Sequence, residues 1–172
     1  MSAAAGPQTT TDLTAPSLRR RLACFLYEGV LLFGVVMVTG LVYAGLTQQR
    51  SESVGRSGLM AVLFIVLGLY FVWFWSHGGQ TVAMKTWHIQ LVDSRGQPVG
   101  AWRALARYLL AWLWFLPALA VASASGIHGG AIIGVLLAGI AVYAAISRMH
   151  PSRQFLHDVL CGTRLVTRRP TR

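Results

Sequence analysis

The sequence is poor in charged residues, and poorest in acidic ones. Only 12 % of its 172 residues are Asp, Glu, Lys or Arg, whereas a soluble domain has about 25 %. Acidic residues number 5 against 15 Lys and Arg, and 55 % of the chain is hydrophobic. This balance excludes an ordinary soluble domain. It indicates a membrane protein whose basic excess faces anionic lipid headgroups rather than nucleic acid.

Several kinds of reactive site are also missing. The two cysteines, Cys24 and Cys161, lie outside any CxxC pattern, so we expect free thiols and no disulfide. His157 and Cys161 have the helical spacing of a metal pair, but no further ligand accompanies them. The "GGQT" stretch lacks the GK[ST] ending of a phosphate-binding loop. We therefore expect no metal, no cofactor and no enzymatic activity.

The chain does contain long apolar runs. A membrane helix needs roughly 20 apolar residues. The interval between Arg107 and Arg148 has no charged residue and is too long for one span, so we divide it at the Ser- and Gly-rich stretch 123–130. The sequence thus predicts an all-α membrane protein, a four-transmembrane-helix bundle. The predicted helices are 22–46, 58–76, 104–122 and 130–147.

The basic residues predict the orientation of this bundle. With four spans, every Lys and Arg except Arg50 and Arg56 lies on the side of the two termini. The positive-inside rule then puts both termini in the cytoplasm of a bacterium, with the protein in its inner membrane.

Shorter elements are expected on the cytoplasmic side. Within the segment 77–103, "TWHIQLV" at 86–92 has the composition of a strand, and "TRLVT" at 163–167 is a second one. We predict that they pair into a small β-hairpin. An amphipathic helix at 151–161 is predicted to lie on the membrane surface. A disordered tail, 1–18, and a basic tail, 168–172, flank the membrane domain 19–167.

Glu28 is the unusual residue of the first span. It follows Arg21 by two helical turns on the same face. A charge inside a span costs about 2.5–3.5 kcal/mol at the centre of the bilayer, so Glu28 needs a partner or a function. Arg107 is the first choice of partner, because it enters the third helix at a similar depth, and Arg21, Arg103 and Arg153 are the others. Either Glu28 is a fixed ion-pair partner, or it binds a proton or cation.

Three stretches resemble one family of membrane proteins. "RRLACFLYEG" is similar to the opening of RDD-family proteins, "GGQTVAMKTWHIQLVDSRGQPV" to their central block, and "RQFLHDVLCGTRLV" to their closing block. The family takes its name from one arginine and two aspartates. The resemblance implies that Arg21 is the arginine, that Glu28 replaces the first aspartate, and that Asp158 is the second. It also implies a multispanning membrane protein suspected of transporting unidentified ligands, with cation/proton exchange among the suggestions.

The closing block adds two further candidates beside Asp158. We expect Asp158 to contact Arg21 from the cytoplasmic side and so to link the C-terminal segment to the first span. The alternative is a proton path from His157 through Asp158 to Glu28, with Arg153 close by.

Small residues recur every four positions at the start of the fourth predicted helix, as in membrane helices that pack closely. They would serve packing inside the bundle or form the seam of a homo-oligomer. Pro117 is expected to kink the third helix, because it removes a backbone donor. The small residues are Gly126, Gly130, Gly134 and Ala138.

Two functions remain open at this point. The first is a transporter or transporter subunit for a small ion or ligand, with Glu28 as the titrating group. The second is a non-catalytic membrane scaffold or assembly factor in which Arg21, Glu28 and Asp158 form structural ion pairs. The sequence names neither a ligand nor a partner protein.

Overall fold

The computed structural model describes residues 11–12, 14–47, 52–149 and 154–168. The two longest helices come first in the chain, and shorter helices alternate with strands after them. The helices are α1 (Leu18–Thr47), α2 (Glu52–Ser76), α3 (Val82–Thr86), α4 (Ala101–Ala111), α5 (Leu116–Ala124), α6 (Ala131–Met149) and α7 (Leu156–Leu160). The strands are β1 (Thr11–Asp12), β2 (Ile89–Asp93) and β3 (Thr163–Arg168).

Within these described ranges, three helical stretches are long and apolar enough to cross a membrane: Leu18–Thr47, Gly55–Ser76 and Ala101–Ala124. The prediction of four spans is therefore supported for three of them. The apolar part of α6, Ala131–Ser147, is shorter. At 1.5 Å per residue it extends about 26 Å, slightly less than a hydrocarbon core of about 30 Å.

The surfaces of the long helices are apolar. Val30, Leu41 and Leu69 are each more than 65 % exposed, whereas the buried residues of α1 are Arg21, Cys24 and Glu28. Helices that expose apolar side chains and bury polar ones are typical of a lipid environment. Lipid tails are favourable neighbours for apolar side chains, whereas a charged side chain needs a partner inside the protein.

The third span is interrupted, as Pro117 predicts. α4 ends at Ala111, residues Trp112–Trp114 form one 3₁₀ turn, and α5 begins at Leu116 with the proline in its first turn. A proline in the first turn of a helix loses no hydrogen bond, because the N–H there has no partner inside the helix. The interruption consequently falls before the proline, at residues Trp112–Trp114.

The predicted pairing of two short strands is confirmed. β2 and β3 are antiparallel, with Leu91 opposite Leu165. A strand that the sequence did not predict, β1, pairs with the other edge of β3, so part of the presumed disordered tail is ordered. The sheet order is β1-β3-β2. The sheet thereby joins the chain before α1, between α2 and α4, and after α6 at one end of the bundle. We call this the sheet end.

The loop before α3 is fixed by backbone contacts with β2. The N–H of Leu91 donates to the carbonyl of Gly79 at 2.7 Å. Gly79 has φ +70°, and a Cβ there would lie 2.4 Å from the carbonyl oxygen of Leu91. Only glycine fits this position, which explains the second glycine of the "GGQT" stretch.

Two predicted elements differ from the structure. The C-terminal helix is only Leu156–Leu160, and residues 151–153 lie outside the described part of the chain. This helix buries its polar residues His157 and Asp158, while Leu156 and Leu160 are 43 % and 59 % exposed. The polar face of this helix is therefore packed into the protein, and contact of its exposed leucines with the membrane surface stays a prediction.

The ladder of small residues is not used as predicted for packing inside the bundle. Gly126 lies in the turn before α6 with φ +63°, and a Cβ on Gly126, Gly130 or Gly134 would meet no atom within 4 Å. Ala138 is exposed. The close approach of α5 and α6 instead occurs at Gly139, where an added Cβ would lie 2.6 Å from the Cβ of Ala118.

Candidate functional site

Glu28 lies in a polar environment made by hydroxyl groups. The Tyr70 hydroxyl on α2 donates to Oε1 of Glu28 at 2.7 Å, and the Thr81 hydroxyl donates to Oε2. Glu28 is 7 % exposed. Each carboxylate oxygen thus accepts a hydrogen bond, which offsets much of the cost of burial. No ion pair with an arginine is present for Glu28 within the described residues, and the predicted Glu28–Arg107 pair is wrong.

The Thr81 hydroxyl takes part in two hydrogen bonds, one as donor to Glu28 and one as acceptor from the backbone. Its hydroxyl oxygen accepts from the N–H of Met84 at 3.2 Å and so caps the N-terminus of α3. Because this N–H occupies a lone pair of the oxygen, the single hydroxyl hydrogen remains free for Glu28. The short helix α3 and the loop that begins with Gly79 therefore set the position of one donor to the carboxylate.

Arg107 pairs with Asp158. Its Nε lies 2.7 Å from Oδ1, and the two side chains are 7 % and 0 % exposed. The guanidinium also stacks on Trp75, with Cζ 4.1 Å from the ring centroid. This contact links α4 to α7 and α2, and it replaces the contact between Asp158 and Arg21 that the sequence predicted.

His157 is held in one orientation by Tyr143 on α6. The backbone N–H of His157 donates to the Tyr143 hydroxyl at 3.0 Å, and the same hydroxyl lies 2.9 Å from Nδ1. A hydroxyl that accepts from the backbone keeps its hydrogen for Nδ1, so this arrangement favours the proton on Nε2. Nε2 lies 3.6 Å from Oδ1 of Asp158. Burial lowers the pKa of His157 to about 4, because the charged imidazolium is poorly solvated there.

Arg21 is the remaining charge of the site. It is 5 % exposed, and its Cζ lies 4.4 Å from the centroid of the Phe155 ring. Its Nε and Nη1 are buried without a hydrogen-bond partner within the described chain, as is Oδ2 of Asp158.

These groups surround a cavity of about 410 Å³, which is within the range of small-molecule pockets. Arg21, Glu28, Arg107 and His157 are among its lining residues, and most of the others are apolar. Asp158 lies directly behind Arg107.

The structure therefore brings together five of the predicted site residues, and Arg153 lies outside the described residues. The sequence analysis missed Tyr70, Thr81 and Tyr143 as their partners. Tyr70 and Tyr143 are tyrosines inside apolar helices, where a buried hydroxyl normally finds a partner, and that signal could have suggested them. In the described part of the chain, no three His, Cys, Asp or Glu residues are grouped to hold a metal ion.

Comparison with known proteins identifies the family. A sequence profile of the RDD family matches residues 15–162. The chain belongs to the RDD family. RDD proteins are membrane proteins, in agreement with the apolar helices described above. Neither a curated protein nor a solved structure matches the chain.

The RDD assignment allows the site to be compared with the three residues that give the family its name. Arg21, Glu28 and Asp158, which we expect to correspond to the family's three named residues, all lie at the sheet end, and the first two line the cavity. By the resemblance, Glu28 replaces an aspartate of the RDD pattern. In this RDD protein its carboxylate accepts from two hydroxyls of other elements and, among the described residues, contacts no arginine.

Proposed function

We propose that this RDD protein is a transporter, or a transporter subunit, for a small ion or ligand, with Glu28 as the group that binds and releases a proton. The observation that carries the proposal is the pairing of a buried carboxylate with two neutral hydroxyls beside a cavity. An ionisable residue inside a membrane domain is a functional candidate by default.

Hydroxyl partners favour a titrating role over a fixed ion pair. A carboxylate bound to arginine keeps its charge over the physiological pH range, because the cation stabilises the ionised form. A hydroxyl can donate to the ionised carboxylate and can also accept from the protonated acid. Tyr70 and Thr81 can therefore stay in contact with Glu28 in both states, and a proton can enter or leave without the separation of two opposite charges.

The topology that we propose has both termini in the cytoplasm of a bacterial inner membrane, with α6 as a fourth, short crossing. Two features support it. The sheet end collects the chain before α1 and after α6 on one face, which requires an even number of crossings between them. With four crossings, every Lys and Arg of the sequence except Arg50 and Arg56 falls on that side. Anionic headgroups are the proposed neighbours there, and a homo-oligomer would widen a transport path that one small bundle limits.

The test is ion-driven proton movement in proteoliposomes with matched variants of Glu28. Glu28→Gln preserves size and removes the titrating group, whereas Glu28→Asp preserves the carboxylate and is the residue of the RDD pattern. We expect the wild type to exchange protons for Na⁺ or K⁺, Glu28→Asp to retain part of this activity, and Glu28→Gln to lose it. Equal activity of Glu28→Gln and the wild type would exclude Glu28 as the proton carrier.

A second candidate function is a membrane scaffold or assembly factor without transport activity. The buried pair of Arg107 and Asp158 favours it, because this pair joins the C-terminal segment to two membrane helices in a rigid arrangement. If the folded wild type moves no ions and Glu28→Gln only lowers its thermal stability, the scaffold is the better description.

A further inference from the structure

Arg21 has the geometry of a ligand-binding group. The residue is 5 % exposed, yet Nε and Nη1 of its guanidinium are buried without a hydrogen-bond partner within the described residues. Buried polar groups in proteins are nearly always bonded, and the exceptions need an explanation. The Phe155 ring covers one face of the guanidinium at 4.4 Å. Ring contact leaves the N–H groups at the edge free to donate in the plane of the guanidinium.

The carboxylates near Arg21 already have partners. Both oxygens of Glu28 accept from hydroxyls. Asp158 has a free Oδ2, but Arg107 neutralises its charge through Oδ1. The natural complement of a guanidinium is a carboxylate or phosphate, but neither Glu28 nor Asp158 bonds to Nε or Nη1 of Arg21 within the described residues. These two donors are therefore open to an anion from outside the chain.

The cavity extends from Arg21 into apolar surroundings. On α1 its lining begins at Arg21 and reaches Leu32, which is eleven residues or about 16 Å along the helix axis. On α2 it runs from Trp75 to Leu67, and on the third span from Arg107 to Phe115. The lining begins at the sheet end with Arg21, Trp75 and Arg107, and away from it carries mostly apolar side chains.

We propose that this cavity binds an anionic amphiphile with one apolar chain, its carboxylate or phosphate held by Arg21 and its chain directed toward Leu32. A volume of about 410 Å³ accommodates one such chain more readily than the two chains of a phospholipid. The ligand comes either from the free single-chain acids of the cell or from a bilayer lipid that inserts one chain. The proposal concerns binding and is independent of proton transfer at Glu28.

Native mass spectrometry of the purified protein in an uncharged detergent tests the head group. The probes are laurate, its uncharged methyl ester, phosphatidylglycerol and inorganic sulfate. We expect laurate to bind the wild type, and Arg21→Gln to weaken this binding about tenfold or more, as the loss of a charge-assisted hydrogen bond implies. Arg19→Gln removes the same charge from an exposed position of the same helix turn, and it should bind within about twofold of the wild type.

A second pair of variants tests the apolar part without touching a charge. Gly29 lines the cavity, and a Cβ there would meet no atom within 4 Å. Gly29→Leu should fill the cavity in a folded protein and reduce laurate binding about tenfold or more. Gly34→Leu is its control, because Gly34 is equally open on the same helix but does not line the cavity.

The outcomes separate the sources of the ligand and the two proposals. Binding of laurate that depends on both Arg21 and Gly29 supports a free acid, and the same dependence for phosphatidylglycerol supports a bilayer lipid. Binding that is unchanged in Arg21→Gln, equal for the methyl ester, or shown only by sulfate overturns the proposal. Glu28→Gln should still bind laurate, so loss of transport and loss of binding are distinguishable.

Discussion

The buried pair of Arg107 and Asp158 gives the sharpest prediction for stability. Arg107→Gln removes a contact of 2.7 Å between two side chains that are 7 % and 0 % exposed. It leaves the Asp158 carboxylate in the interior with two neutral neighbours of Oδ1, the Thr163 hydroxyl at 3.5 Å and Nε2 of His157 at 3.6 Å. Removing one partner of a buried pair costs about 3–5 kcal/mol, mainly because the other charge stays uncompensated. That is a large part of the 5–15 kcal/mol by which proteins are typically stable.

Equilibrium unfolding in mixed micelles, followed by tryptophan fluorescence, measures this cost. Asp158→Asn should have an effect of similar size, and the double variant Arg107→Gln/Asp158→Asn should cost about 0.5–3 kcal/mol less than the two single costs together. Arg103→Gln is the control, because Arg103 contacts Asp93 at 3.5 Å with 57 % of its side chain exposed. Such pairs contribute little, so no clear change is expected. A cost below about 1 kcal/mol for Arg107→Gln, or strict additivity, would refute the reasoning.

Three further predictions concern packing, acid stability and the carboxylate. Gly139→Ala should destabilise by about 1–3 kcal/mol, because its Cβ would lie 2.6 Å from a Cβ of α5, whereas Gly134→Ala should be neutral or stabilising in thermal unfolding. The pKa of His157 in the folded state, about 4, lies below the ordinary 6.5, so the unfolded chain takes up the proton first as pH falls. The free energy of unfolding should decrease by about 3 kcal/mol between pH 6.5 and 4, and His157→Gln should reduce this slope. Thr81→Val should lower transport and stability through loss of a donor to Glu28, while Thr81→Ser should restore both.

The sequence predicted those elements whose cause is local. The apolar run of α1, predicted as 22–46 and found at Leu18–Thr47, needs only hydropathy. β2 and β3 follow from β-branched residues beside turn signals, although β2 begins three residues later than predicted. The interruption near Pro117 follows from the chemistry of one residue. In each case the decisive information lies within a few positions of the chain.

The partners within the site could not be predicted in the same way. The sequence suggested Arg107 as the ion-pair partner of Glu28 because both lie at a similar predicted depth in the membrane. Depth does not show toward which neighbour each helix directs its side chains. In the structure α4 turns Arg107 toward α7, where Asp158 binds it. Glu28 instead accepts hydrogen bonds from hydroxyl groups on α2 and just before α3. Tyrosine and threonine carry no charge pattern, so sequence inspection does not single them out.

The order of the sheet has a consequence for biosynthesis. β3, which pairs with both β1 and β2, follows every membrane helix in the chain and is therefore translated after them. Until β3 has left the ribosome, β1 and β2 lack the strand with which both of them pair. Until α7 has left it, Arg107 lacks its ion-pair partner Asp158. The sheet end can thus be completed only after β3 and α7 have been translated. Chains that stop before Asp158 should be recognised as unfinished by membrane proteases.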